Sequence, residues 1–576
     1  MGNTFLKKKF YSILASGTLS MIAVTVLLMS DSIIAGLVVG ENGVAAISLV
    51  TPVYSLAAFF GGMISIGIPL LYNRAMGEFD KEKADRYFAL GFTLAISVGL
   101  ILFTIFMIFG DMYLSFYEPS RAVLENAKPY FFWYKFSILF LPVSTLMSEI
   151  IIADGDETIS IIANLSELIG NILLSVVLSF FLGMAGIGLA SFIGTLASVI
   201  ICSIHFFRPG NSLKPGIYFS FSYLAHVIKY SAIDAGSYLF LAIFSAGLNR
   251  FITVTFGSEM LIISSVILFI KELQLVFDGI GEAIGPIMNI YMGEESYQGV
   301  KKCYKLAENT AIVEGLIVMV ICFIAAPLVV KLYAVENPIT YTYCVNGTRI
   351  MSLGFVPLSL LYLLTSYYLI ADYILIGFVM SSLRDTVISL PVAVILGKLF
   401  GIYGLFAGAA ISPLIAYVLS IGYIWLRYGR ENCPLMLAGK EKSIRSAFYE
   451  FVVEPENVID IQHEAEAFLE KENISKNVIF KTKLLLEELF MLIYEKNQTH
   501  GDKEAEVCAE CTLILKNEGV HIIIKDDGVL FDIAREDVSA HSLAEFAVSG
   551  YMEKLKENKM YLTTMSYNRN TFLVKG

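Results

Sequence analysis

Charge is scarce in this chain. Only 16% of its 576 residues are Asp, Glu, Lys or Arg, against about 25% in a soluble globular protein. Apolar residues make up 56%, and the mean hydropathy is +0.69. The shortage excludes a wholly water-soluble chain and points to lipid as solvent. Basic residues are fewest relative to acids in the C-terminal part. From Arg445 to Gly576 there are 15 Lys plus Arg against 24 Asp plus Glu, a balance of −9 that leaves −2 of the whole-chain −11 to everything before. Phosphate binding needs clustered Lys and Arg, so nucleic acid is excluded as a partner. A disulfide or zinc framework is lacking too. The seven cysteines are scattered, several inside apolar runs, and Cys508 and Cys511 form a lone CxxC. The alternation of Val507, Cys511, Leu513 and Leu515 around it reads as a strand, which favours packing cysteines over a redox or zinc pair. No cleavable signal is evident. Lys7, Lys8 and Lys9 before a first apolar run long enough to span suit an uncleaved anchor.

What the chain has in abundance is long apolar runs. A hydrocarbon core of about 30 Å needs about 20 apolar residues in a helix. Twelve such runs are expected, near 10–38, 45–73, 87–110, 129–152, 158–182, 185–207, 224–255, 258–291, 304–330, 346–371, 374–398 and 402–426. Lys and Arg set their orientation. Arg74, Lys81, Lys83 and Arg86, then Arg208 and Lys214, then Lys301, Lys302 and Lys305, then Arg427, Arg430, Lys440 and Lys442 fall on one side. The other side is poorer, with Arg121, Lys128, Lys331, Arg349 and Lys398. Both termini are therefore expected in the cytoplasm, with the chain in the inner membrane.

The runs repeat. GGMISIGIPLLYNRAMGEFDKEKA from Gly61 resembles DGIGEAIGPIMNIYMGEESYQGVKK from Asp278. Gly40 and Gly257, Gly62 and Gly279, and Pro69 and Pro286 are each 217 residues apart; Gly183 with Gly401 and Gly186 with Gly404 are 218 apart, and Gly77 with Gly293 are 216 apart. Close packing and kinks explain such residues singly, but not their shared offset. The expected fold is a membrane all-α protein of twelve transmembrane helices in two six-helix parallel-repeat bundles, residues 1–215 and 216–430. A linker at 431–444 then leads to a small soluble α+β sandwich domain at 445–576.

A Gly-x-x-x-Asp-Arg signature of the major facilitator type is absent between the second and third runs. YNRAMGEFDKEKA stands there instead, and it resembles the multidrug and toxic compound extrusion (MATE) family, part of a wider group that includes lipid-linked oligosaccharide flippases. SDSIIAGLVVG around Asp31, IIADGDETIS around Gly155, NILLSVVLSFFLGMAGIGLA from Asn171 and MSSLRDTVISLPVAVILGKLFGIYG in the second half are similar to that family as well. The resemblance covers about residues 10–430. It implies an antiporter in which substrate leaves as sodium ions or protons enter. One branch of the family builds its ion site from an Asp in span one, an Asn and an Asp in span five and a hydroxyl in span six. Asp31 and Asn171 match, Ser175 stands at the second carboxylate position, and Thr195 approximates the hydroxyl. Without that carboxylate a sodium site loses charge and an oxygen ligand. Asp31 also suits a polar cap near the end of its span.

The second half carries a stripe of its own. Lys271, Gln274, Asp278 and Glu282 are spaced three, four and four apart, one face of a helix at 100° per residue. Ionisable groups at that depth cost a few kcal/mol each unless paired or facing water. Subtracting 217 gives Tyr54, Ala57, Gly61 and Ser65 in the first half, so the stripe is no feature of the repeat. Arg384 and Asp385 in the eleventh run are candidate partners. Such a stripe is either a proton- or cation-linked site between the halves or an ion-pair network that locks helices together. Tyr362, Tyr367, Tyr368 and Tyr373 form a patch at the tenth run that suits organic cations, though packing is the commoner use.

From about Ser443 the pattern turns soluble. Two amphipathic helices, strands near 506–515 and 519–526, a helix at 542–557 and strands at 560–567 and 571–575 are expected. LLLEELFMLIYEKN followed by IIIKDDGVLFD resembles the anti-sigma-factor serine kinases of the histidine-kinase-like ATPase fold. By that resemblance Asp526 and Gly528 read the adenine amino group, Thr571 supplies a hydroxyl near the same Asp, and Glu488 takes the catalytic Glu position. Leu492 replaces the Asn that holds magnesium, and HSLAEFAVSGYMEKL replaces the glycine-rich lid that brings N–H groups to phosphates. The adenine end is kept and the phosphate end lost, so no kinase or ATPase activity is expected. Binding of ATP or ADP without turnover and a protein-interaction role both stay open.

Three functions follow. The first is a sodium- or proton-coupled antiporter exporting small organic or cationic compounds, with a regulatory tail. The second is a flippase for a lipid-linked precursor, and the third a membrane sensor whose tail captures a cytoplasmic regulatory protein. None is an enzyme, and no resident metal is expected beyond the coupling ion.

Overall fold

The computed structural model describes residues 4–77, 80–154, 156–208, 211, 213–500, 506–529, 552–562 and 565–575. The first apolar runs become α1 (Phe5–Val39), α2 (Glu41–Gly77), α3 (Lys81–Phe116), α4 (Arg121–Ala153), α5 (Glu157–Leu182) and α6 (Met184–Ser203). Polar residues start them where the runs begin. Asp80 accepts from the Lys83 N–H, Ser120 from Val123 and Asp156 from Ile159, each side-chain oxygen serving an N–H that has no partner within its helix. The next helices are α7 (Phe221–Phe256), α8 (Leu261–Leu273), α9 (Asp278–Gly293), α10 (Tyr297–Leu332), α11 (Pro338–Ser352), α12 (Phe355–Ile370), α13 (Ile374–Ser382) and α14 (Ser389–Tyr428). A 3₁₀ turn at Gln274–Phe277 joins α8 to α9, and a π turn at Leu383–Val387 joins α13 to α14. Among the described residues nine helices are long and apolar enough to cross a membrane, ten if α11 and α12, bent by 50°, form one span.

Glycines with left-handed backbone turn the chain at matching places: φ is 89° at Gly40 and 94° at Gly257, 57° at Gly183 and 68° at Gly401. The break at Gly401 divides α14 internally. A Cβ on Gly186 would meet the Leu178 carbonyl at 2.3 Å, and one on Gly404 the Leu396 carbonyl at 2.0 Å. Only glycine permits such close backbone crossing. Gly62 of α2 lies against Ala235 of α7, and Gly279 of α9 against Thr18 of α1. Asn249 of α7 donates to the Ser48 carbonyl of α2 at 2.7 Å. The early and late helices are thus packed on one another along α1, α2, α7 and α9.

A short α15 (Ala438–Ser443) leads into the tail: β1 (Ser446–Val452), α16 (Pro455–Lys471), α17 (Lys476–His500), β2 (Cys508–Lys516), β3 (Gly519–Asp526), β4 (Met552–Leu562) and β5 (Met565–Val574). The strands form one antiparallel sheet in the order β1-β2-β3-β5-β4. The expected helix at 542–557 fails in its last part, because residues 552–557 pair with β5; the earlier part lies outside the described residues. The expected closing strands shift accordingly to β4 and β5.

Alternation gives the sheet two faces. Cys511, Leu513, Ile522, Ile524, Phe572 and Val574 pack on α16 and α17. The opposite face lies on the membrane helices. Lys525 bridges Glu294 at 2.8 Å and Glu510 at 3.2 Å, Arg569 reaches Glu294 at 2.8 Å, and Tyr291 donates to Glu510. The side chains of Glu294, Glu510 and Lys525 are 2%, 0% and 3% exposed. The start of α1 joins the same junction, with Lys8 3.1 Å from Asp527 and the Leu6 N–H donating to Glu450 at 3.0 Å. Cys508 lies in the core shared with Phe5 and Tyr291 while Cys511 lies under the tail helices, so the CxxC thiols serve opposite faces and pack separately. The tyrosine patch is structural as well. Tyr367 and Tyr368 donate to the carbonyls of Leu435 and Pro434, pinning the segment that enters the tail.

Candidate functional site

A cavity of ≈ 160 Å³ opens among α1, α2, α4, α5, α6 and α8, in the half of the bundle nearest the Gly40, Gly183 and Gly257 corners. Asp31, Asn171 and Thr195 line it together, as their spacing in the first half suggests. Ser191 donates to Asp31 Oδ2 at 2.9 Å and Tyr130 to the same oxygen at 3.3 Å. Asn171 donates to Ser191 at 3.2 Å, and Ser175 to Asn171 at 3.3 Å. Ser175 is buried, supports the Asn171 amide and lies within hydrogen-bonding reach of Asp31. Asp31 Oδ1 is enclosed and has no hydrogen-bond partner among the described residues.

A second carboxylate is present after all, two helical turns before Ser175. Glu167 accepts from Thr195 at 3.1 Å and from Ser144 at 3.2 Å, and it lines the cavity. Its position four residues before Asn171 puts it on the same helix face. A third, Glu272 of α8, lines the cavity as well. Tyr54, Tyr130 and Tyr134 complete the lining, the last two stacked at 5.3 Å. No Lys, Arg or His lines the cavity among the described residues. A space in lipid bounded by three carboxylates, hydroxyls and aromatic faces favours a cation, since ionised carboxylates there need protons or a positive ligand beside them.

The second-half stripe does not form one surface. Lys271 donates to the Asp385 carbonyl at 2.8 Å and sits 4.1 Å from the Phe244 ring centroid. Arg384 makes a bidentate pair with Asp385 at 2.8 and 2.9 Å and lies 3.7 Å above Tyr362. Asp278 is within electrostatic reach of Arg384. Gln274 is buried at the 3₁₀ turn. Glu282 is exposed beside α1, where a Cβ on Gly17 would come within 2.8 Å of it. Two bases and two acids balance in this cluster, in contrast to the acidic cavity.

In the tail, Asp526 is fully buried, and its Oδ1 accepts from the Gly528 N–H at 3.1 Å and from Asn568 at 2.9 Å. Burial pushes its carboxyl up to about 7, helped by Asp527 and opposed by those two hydrogen bonds and by Lys9. Thr571 does not join it. Asp526 pairs with Asn568 and Thr571 with Ile523, so Thr571 points to the opposite face of the sheet, and Asn568 and Asn570 share the face of Asp526. Glu488 sits partly exposed on α17. The space beside Gly528 is taken by Asn497, whose Oδ1 accepts from the Val529 N–H at 2.8 Å. Most of the segment standing in place of a lid, residues 541–551, lies outside the described residues; its last four residues are in β4.

Residues 18–177 match the family model described as MatE. Over 402 residues the chain is 22% identical to the multidrug export protein MepA of Staphylococcus haemolyticus strain JCSC1435, covering 68% of this chain and 87% of that protein. Among solved structures it is similar to the inward-facing conformation of a multidrug resistance MATE family transporter of the MOP superfamily. That match has a TM-score of 0.66 at 16% identity and covers 73% of this chain and 96% of the other. The outward-facing conformation of such a transporter is matched with a TM-score of 0.60 at 16% identity, covering 76% and 97%. Together with the apolar helices, these similarities make the chain a multi-pass membrane protein of MATE-like fold.

Proposed function

We propose that the chain is a MATE-type exporter of organic cations, driven by entry of sodium ions or protons. Twelve spans in two six-helix halves lie in the inner membrane with both termini in the cytoplasm. That count takes α1 as a span, joins α11 to α12, and divides the α13–α14 stretch at Gly401. The matched glycine geometries at Gly40 and Gly257, Gly183 and Gly401, and Gly186 and Gly404 support a parallel repeat. The observation that carries the function is the cavity bounded by Asp31, Glu167 and Glu272 with no basic lining residue among those described. Protons and a cationic substrate compete for the same carboxylates, which is the physical content of antiport. The multidrug export named for the similar MepA and the MATE transporter titles of the similar structures agree with it.

A flippase for a pyrophosphate-linked lipid needs a cationic path, and the acidic lining speaks against it. The tail docks on the cytoplasmic end of α9 and on α1, so regulation by the tail would act through these two helices. Efflux of tetramethylammonium from vesicles, driven separately by a sodium and by a proton gradient, tests the proposal. Export under at least one gradient, abolished by Asp31→Asn, is expected; no export under either by folded protein refutes it.

A further inference from the structure

The connection between α6 and α7 is neither helix nor strand from Leu213 to Ser220, yet it runs along the apolar part of α3. Gly216 lies against Ala89, the Tyr218 N–H donates to the Thr93 hydroxyl at 3.1 Å, and the Tyr223 ring sits 4.6 Å from that of Tyr87. The 3₁₀ turn after α6 is at the same level, with Phe206 beside Phe88. Arg86 is the last charged residue of α3 before its apolar run, and Thr93 lies about 10 Å further along the helix. Irregular backbone at that depth needs its polar groups satisfied. Pro215 has no N–H to satisfy, Leu213 donates to the Asn211 side chain at 2.8 Å, and Tyr218 donates to Thr93. The start of the connection is pinned as well. His205 lies 2.9 Å from Asp154 and 3.1 Å from Asp156, and Arg208 lies 3.0 Å from Asp156.

What this pinned segment leaves uncovered is apolar. Ile217 is 95% exposed, Phe207 88% and Phe221 79%, and Phe219 is half exposed. Large apolar side chains held outward beside a membrane-spanning helix need acyl chains around them, not water. Basic groups frame them. Lys214 is exposed and makes no ion pair among the described residues. Arg86 and Arg208 each keep about half of the side chain exposed, beside Glu82 and Asp156. We propose that this connection is a lipid-docking strap that selects anionic headgroups. Its Ile and Phe side chains seat among acyl chains, while Lys214, with Arg86 and Arg208 beside it, holds the headgroup phosphate of a lipid such as phosphatidylglycerol. A neutral lipid satisfies the apolar side chains but leaves Lys214 without a counter-charge. The chain passes from the first six helices to the later ones only here, so the leaflet grips it where the two sets join. The inference rests on the membrane fold and is independent of the compound transported.

The test uses the full chain carrying Trp133→Phe and Trp425→Phe, which remove both native indoles, with Phe219→Trp as the reporter in the strap. The protein is reconstituted in equal mixtures of phosphatidylglycerol and phosphatidylcholine, with bromine on the acyl chains of one lipid or of the other. Brominated lipid is expected to quench the indole, with a preference for phosphatidylglycerol of about fivefold, the effect of one base without a partner at an anionic surface. Adding Lys214→Gln should bring that preference towards equality while the quenching remains. No quenching by either lipid refutes the seating of the strap in the membrane. Equal quenching by the two lipids with Lys214 in place, or a preference that Lys214→Gln leaves unchanged, overturns headgroup selection by this site. If Phe219→Trp does not fold, Phe221→Trp takes its place with the same readings.

Discussion

Lys525→Met removes one of two bases from the buried junction between tail and membrane helices. In the native junction Lys525 and Arg569 balance Glu294 and Glu510, and the Lys525 ammonium also lies 4.3 Å from the Tyr291 ring centroid. The substitution leaves one uncompensated carboxylate at a site where Glu294 and Glu510 are 2% and 0% exposed. Breaking a buried pair by removing one partner costs about 3–5 kcal/mol, which shifts the docking equilibrium by roughly two to three and a half powers of ten. Thr512, which faces Ser296 across the junction, provides the reporter. In a Thr512→Cys background, thiol labelling requires undocking and should accelerate about a hundredfold or more when Lys525→Met is added. Adding Glu510→Gln restores neutrality, leaving Glu294 paired with Arg569, and should return most of the protection. Equal labelling with and without Lys525 would refute a junction held by this network.

Other consequences follow from single sites. Asp526 has a carboxyl pushed up to about 7 in the folded tail against 3.8 for the free group. Its stabilising contribution is therefore fully present below about 3.8 and lost as pH rises through about 7. The tail should melt at a lower temperature at pH 8 than at pH 6, and Asp526→Asn should flatten that difference. Gly186→Ala and Gly404→Ala both drive a Cβ into a backbone carbonyl and should each destabilise by about 1–3 kcal/mol, measured as a lower Tm of the purified full chain. Arg384→Met leaves Asp385 and Asp278 with Lys271 as the remaining base of the cluster, one carboxylate in excess, and should reduce the yield of folded protein; Asp385→Asn in the same chain should recover part of it.

Much of the fold was legible because lipid demands long apolar helices and the glycine corners recur at offsets of 217 and 218 residues. Asp31, Asn171 and Thr195 were legible as a group and do meet. Glu167 was overlooked because the family position four residues after Asn171 is Ser175, whereas the carboxylate lies four residues before it. Glu272 was hidden by its neighbour, since Lys271 opened the polar stripe and residue 272 projects about 100° away from it. The stripe was followed as one continuous helix, but the 3₁₀ turn at Gln274–Phe277 winds at three residues per turn. That turn shifts the phase of Asp278 and Glu282 relative to Lys271. In the tail, MEKLKENKM has the Lys and Glu content of a helix, and pairing with β5 overrides it. Thr571 could be set beside Asp526 only while the register was unknown; the pairing of Asp526 with Asn568 fixes its opposite facing.

Equilibrium binding of radiolabelled tetramethylammonium to the purified full chain tests the acidic cavity most directly. The wild type is expected to bind it saturably, one per chain, and to release it on acidification as protons take the carboxylates. The variant carrying Asp31→Asn, Glu167→Gln and Glu272→Gln together should bind none. Equal binding by that variant, or binding by the wild type that acid leaves untouched, would contradict a cation site built from these three residues.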